Sequence, residues 1–197
     1  MKIIFCNITW MKYYQGALAE SQLSAHGGRH VIETGFGAEE YNFKVFPEGK
    51  CMGFVITAGS NKHKLNKMNI DKLSPDCKDA LYVDEVLVVW TAYNEKLGKT
   101  VIVGWYKDAR VYRNYRFQDI DRERYAATTN QNGRPYNIVA DAANVTLLEP
   151  TERRFQVPRA RGNTFGLGQS NVWYANQNEQ AREYVASVVH YIDKYSG

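Results

Sequence analysis

The sequence predicts an α+β fold: a mixed, largely antiparallel sheet curling into a pseudo-barrel, with one C-terminal amphipathic helix and one or two smaller helices. Three observations carry this expectation. Residues 83–92 and 100–105 are β-branched runs that are apolar on both faces, which marks interior strands covered from two sides. The short polar segment between them contains Gly98, so the two runs form an antiparallel hairpin. Ala181, Tyr184, Val185, Val188, Val189 and Ile192 recur at helical spacing near the end of the chain and give one apolar face.

The remaining elements follow in order. Residues 2–10 read as a strand through Ile3, Phe5 and Ile8. The glycines of residues 24–29 make a turn, and residues 30–34 a short strand. Residues 35–50 carry Gly35, Gly37, Pro47 and Gly49 and read as irregular loop. Residues 51–58 (Met52, Phe54, Val55, Ile56) form a strand. Residues 59–80 are polar and lysine-rich, with one short helix expected near 64–72. Residues 110–117 continue the hairpin as a third strand. Alternation puts Arg110, Tyr112, Asn114 and Arg116 on one face and Val111, Arg113 and Tyr115 on the other. Residues 118–135 are loop or short helix. Residues 136–148 are extended, broken by a turn at 141–144. Residues 162–170 are glycine-rich loop. Asn176 with Glu179 three residues on resembles a capping box at the start of the final helix.

A chain of 197 residues with 44% hydrophobic side chains suits one domain with a real core. No apolar run approaches the length of a membrane span. The N-terminus turns polar too early for a secretory leader. Cys6, Cys51 and Cys77 are odd in number and widely spaced, which fits neither a disulfide framework nor a zinc knuckle and points to a reducing cytoplasm. Net charge is +4, weak by itself as a sign of a polyanionic partner. Its distribution says more. Of thirteen lysines eleven precede residue 100, and of twelve arginines eleven follow it. Arginine suits bidentate phosphate contacts and stacking, whereas lysine is a hydrated point charge. The candidate phosphate contacts are therefore Arg110, Arg113 and Arg116, then Arg153, Arg154, Arg159 and Arg161, with Lys12 and Lys107 beside the rings.

Fourteen tyrosines and four tryptophans supply flat faces for stacking on bases. Three segments concentrate them: Trp10, Tyr13 and Tyr14 with Gln15; Trp105 and Tyr106; and Trp173 and Tyr174, preceded by Gln169, Ser170 and Asn171. Converging at one end of a barrel, they would line an aromatic pocket for an extruded base, with Gln15, Gln169, Ser170 and Asn171 reading its edge. Trp90 is expected in the core.

Enzyme patterns are faint. Glu48-Gly49-Lys50 opens a strand in the manner of a metal-dependent nuclease, with Glu39 or Glu40 as a leading acid. Gly27-Gly28 between His26 and His30 argue against a helical metal pair. No phosphate-loop, dinucleotide or nucleophile-elbow motif occurs. No metal or cofactor is expected. A metal-dependent nuclease stays open as an alternative, as do an RNA-binding and a peptide-binding domain.

Val86-Leu87-Val88-Val89-Trp90 and Thr100-Val101-Ile102-Val103-Gly104-Trp105-Tyr106-Lys107 resemble the central strand pair of the PUA superfamily, in particular its EVE, YTH and ASCH branches. The strand ending in Trp10, the Val103–Lys107 run, and Gly168-Gln169-Ser170-Asn171-Val172-Trp173-Tyr174 ahead of a final helix also resemble amino-terminal modules of bacterial modification-dependent restriction-type proteins. Some of those are joined to HNH or other nuclease regions. The resemblance implies a pseudo-barrel that captures a flipped, modified base of double-stranded DNA in an aromatic cage, for which Trp10, Trp105 and Trp173 are the candidates. It further implies that residues 1–197 are a single reader domain, the amino-terminal part of a longer protein whose nuclease domain follows. Residues 20–50 and 118–135 depart from the family pattern as insertions.

Overall fold

The computed structural model describes residues 1–16, 37–60, 65–120, 133–176 and 178–195. It is α+β. Seven strands form one mixed sheet: β1 (Lys2–Ile8), β2 (Lys50–Gly53), β3 (Tyr82–Asn94), β4 (Lys99–Gln118), β5 (Arg134–Asp141), β6 (Val145–Leu147) and β7 (Val172–Trp173). One α-helix, α1 (Glu179–Lys194), closes the described chain. The hydrogen-bonded order is β2-β5-β4-β3-β1-β7, with β6 alongside β4. β1 runs parallel to β3, and every other pair is antiparallel. The sheet stays open, with β2 and β7 as its edges. In the described part of the lysine-rich segment, where one short helix was expected, there are single 3₁₀ turns, Ile70–Lys72 and Pro75–Cys77; most of 118–135 lies outside the described residues.

The hairpin forms as its β-branched runs dictate. The expected third strand is not separate, because β4 runs unbroken through twenty residues. Its first half pairs with β6 and its second half with β5. Register shifts between Val111 and Arg116 let it bend. The strand expected over 51–58 is shorter: pairing ends at Gly53. The expected strand at 30–34 lies outside the described residues.

Both faces of the sheet are covered, as the doubly apolar strands require. On one face Ile4, Cys6, Val88, Trp90, Val103 and Tyr106 share a core. On the other Ile3, Phe5, Val89, Ile102, Trp105 and Trp173 pack under Ala181, Val188 and Ile192 of α1. Asn178, not Asn176, caps that helix: its side chain accepts the Ala181 N–H at 2.9 Å. All three cysteines are buried and free. No helix among the described residues is long and apolar enough to cross a membrane.

Candidate functional site

The three-tryptophan cage does not assemble. Successive strand residues point to opposite faces, so Trp105 and Tyr106 part company. Trp105 is 2% exposed and packs edge-on against Tyr191 and Tyr195 of α1. Trp173 is 3% exposed, with Phe5 at 4.7 Å and Tyr184 at 5.9 Å between ring centres. Trp10 packs against the core of the opposite face. Tyr106 is sealed beside Trp90 and Phe43. Tyr14 is buried too, its hydroxyl donating to Thr9 O at 2.9 Å. Trp105, Tyr106 and Tyr14 are therefore core residues rather than pocket walls, and Trp173 gives most of its ring to the core.

Three of the candidate phosphate arginines are also committed elsewhere. Arg153 is 1% exposed. It donates to the carbonyls of Leu148 (2.9 Å), Met11 (2.7 Å) and Lys12 (2.8 Å). Its guanidinium lies 5.1 Å from the Trp10 ring centre and 5.8 Å from that of Tyr14. It is a clamp on the Thr9–Tyr14 loop, and burial lowers its pKa. Arg113 is held by Asp71 and by the carbonyls of Cys77, Lys78 and Ala80. Arg110 makes a bidentate pair with Asp84 and lies over Tyr82. Arginines engaged in this way have no fork left for a phosphate. Lys107 pairs with Asp193 at 3.5 Å. Arg116, Arg154, Arg159 and Arg161 remain exposed, as do Lys12, Tyr13, Gln15 and Gln169, while Asn171 is half-buried.

Within the clamped loop, Lys12 lies 5.0 Å from the centre of the Tyr13 ring. At its start the Thr9 N–H donates to Glu39 Oε2 at 2.7 Å. Burial pushes the Glu39 carboxyl from 4.5 up to about 7. Between those values the folded protein holds a proton that the unfolded chain has released, so stability falls as pH rises from 4.5 to 7. Glu39→Gln keeps an acceptor for Thr9 and removes the titration. Urea unfolding at pH 5 and pH 7.5 is expected to show a loss of a few kcal/mol in the parent protein and a nearly flat profile in the variant. Parallel profiles would show that Glu39 is not the group responsible.

A concave site does form, at the edge strand β7. A cleft of about 390 Å³ is lined by Thr57, Lys67, Asn69, Lys72, Ser170 and Tyr174, together with the edge of Trp173. Three of the expected base-contacting residues meet here: Ser170, Trp173 and Tyr174. Lys72 Nζ lies 5.4 Å from the Tyr174 ring centre. Among the described residues neither Lys67 nor Lys72 pairs with a carboxylate and no acid lines the cleft. Tyr174 and Lys72 also line an adjoining cleft of about 350 Å³ with Lys2 and Arg182, but those two cations are paired with Glu85 and Glu179. Ala175, between Tyr174 and Asn176, adopts φ +50, a left-handed turn that costs an alanine about 1 kcal/mol. This turn takes the chain from the edge strand to the helix. Both lysines lie outside the arginine clusters, in the lysine-rich segment 59–80, and that lysine density is the sequence signal for them.

The residues of the nuclease alternative each have other engagements or stand apart in exposed chain. Glu39 is bonded to Thr9, Glu48 lies in an exposed turn, and Lys50 pairs with Asp141. Among the described residues no group of three His, Cys, Asp or Glu side chains is placed to hold a metal ion. No protein-family model, no curated protein and no solved structure matches the chain.

Proposed function

We propose that this chain is a non-catalytic nucleic-acid-binding module that takes one base of duplex DNA into the cleft beside β7. One observation carries the reading: a cleft at a sheet edge combines the Tyr174 ring with Ser170, Asn69 and two lysines, and among the described residues no acid lines it and neither lysine meets a carboxylate. A base can stack on the ring while its neighbouring phosphates meet Lys67 and Lys72. Flipping costs a few kcal/mol, and stacking returns about 1–3 kcal/mol per base. A base whose pairing is already weakened, or whose added group fills the cleft, is therefore favoured. The resemblance to EVE and YTH-type domains makes a modified cytosine or adenine the preferred ligand, as in a reader that directs a restriction-type system. Lys12 and Tyr13 on the loop clamped by Arg153 offer a further exposed ring and cation.

The test is salt dependence. Each phosphate contact contributes about 0.9 to the slope of log affinity against log salt. For Lys67→Gln/Lys72→Gln the slope measured by fluorescence anisotropy on a short duplex is expected to flatten by about 2. An unchanged slope removes these lysines from the interface.

A further inference from the structure

We infer that a cleft on the α1 side of the sheet is a separate site for a nucleoside phosphate whose base carries an exocyclic amine. This cleft encloses about 670 Å³ between the end of β1, the β3–β4 turn, residues 156–165 and Tyr184 of α1. It shares no lining residue with the β7 cleft, so the inference does not depend on the reading given above.

Four features define its chemistry. Lys99 and Arg159 both line it and neither meets a carboxylate among the described residues, which leaves two free cations for an anion. Among the described residues no acid stands in its wall to oppose that anion. Three rings frame it: Tyr93 at the hairpin turn, 53% exposed, and Phe165 and Tyr184, whose centres are 6.0 Å apart. The fourth feature is Asn7, whose carboxamide oxygen is buried without a hydrogen-bond partner. The Asn7 main chain is fixed, its N–H donating to Asn171 O at 2.7 Å, but no bond holds that oxygen in place. A ligand that donates an N–H at this edge of the cleft gives that oxygen its partner, and an unsatisfied buried acceptor gains most from such a ligand. A flat ring, a negative group and an N–H donor together describe a nucleoside phosphate with an amino base.

Cytidine and uridine monophosphates differ at the deciding atom, since cytosine N4 donates where uracil O4 accepts. Calorimetric titration of the whole chain is expected to show cytidine monophosphate binding about tenfold tighter than uridine monophosphate, the worth of one well-placed hydrogen bond. Cytidine without phosphate should bind weakly. Arg159→Gln and Lys99→Gln change exposed side chains, so the fold survives; each should weaken cytidine monophosphate about tenfold or erase the heat. Lys67→Gln/Lys72→Gln should leave it unchanged, which separates this site from the β7 cleft. A cytidine-ended oligonucleotide binding far tighter than the mononucleotide identifies a strand as the natural source, and equal affinity identifies a free nucleotide; either result supports the site. Equal binding of the two monophosphates, no binding of either, or indifference to Arg159→Gln overturns it.

Discussion

Replacing Arg153 by methionine is expected to destabilise the fold by about 3–5 kcal/mol, because three carbonyls lose their donor at once. Methionine retains the apolar stem and removes every donor. The carbonyls of Leu148, Met11 and Lys12 then lose their partner in a place where Arg153 itself is almost wholly screened from water. Each unsatisfied buried acceptor costs about 1–3 kcal/mol. The rings of Trp10 and Tyr14 also lose their cation. The neighbouring Arg154 is exposed, and among the described residues its side chain bonds only Thr151 O, so Arg154→Gln should change stability by under about 0.5 kcal/mol. Urea unfolding of the pair reads both values. Equal midpoints would show that the clamp contributes nothing.

Trp105→Ala is expected to cost a similar amount, about 3–5 kcal/mol, for a different reason. The indole fills the space between β4 and α1, touching Tyr191 and Tyr195. Its removal leaves a void that the sheet and helix cannot both close. Binding to DNA, measured per folded molecule below the unfolding transition, should be unaffected. A selective loss of affinity for modified DNA with stability intact would restore Trp105 to the pocket.

These two residues show where the sequence is legible and where it is not. Strand identity is a local property: the β-branched runs of β3 and β4 and the apolar period of α1 announce themselves. Expected and observed elements agree there. Which face a tryptophan serves is set by partners far along the chain. Trp105 is core because α1, some eighty residues later, lies across it. Trp10, just past the end of β1, packs against one core and Trp105 lies in the other. Arg153 misled for a related reason. The stretch 153–161 contains no acid, so its cations looked free. The partners of Arg153 are main-chain carbonyls, which every residue has and no sequence pattern reveals. Lys67 and Lys72 reach the β7 cleft because the segment after β2 passes the edge strand, a placement that follows from the long-range order of the sheet. The cap is Asn178 rather than Asn176, and the left-handed turn at Ala175 lies just ahead of Asn176, where the chain leaves the edge strand for α1.

The base-capture proposal is tested most directly by comparing Tyr174→Ala with Trp105→Ala on two duplexes that differ in a single base modification, at one fixed salt concentration and with folding confirmed by circular dichroism. Loss of stacking on Tyr174 should weaken capture of the modified duplex by about 1–3 kcal/mol, roughly five- to 150-fold, while Trp105→Ala binds like the parent protein. A Tyr174→Ala protein that holds the modified duplex as tightly as the parent would contradict the account.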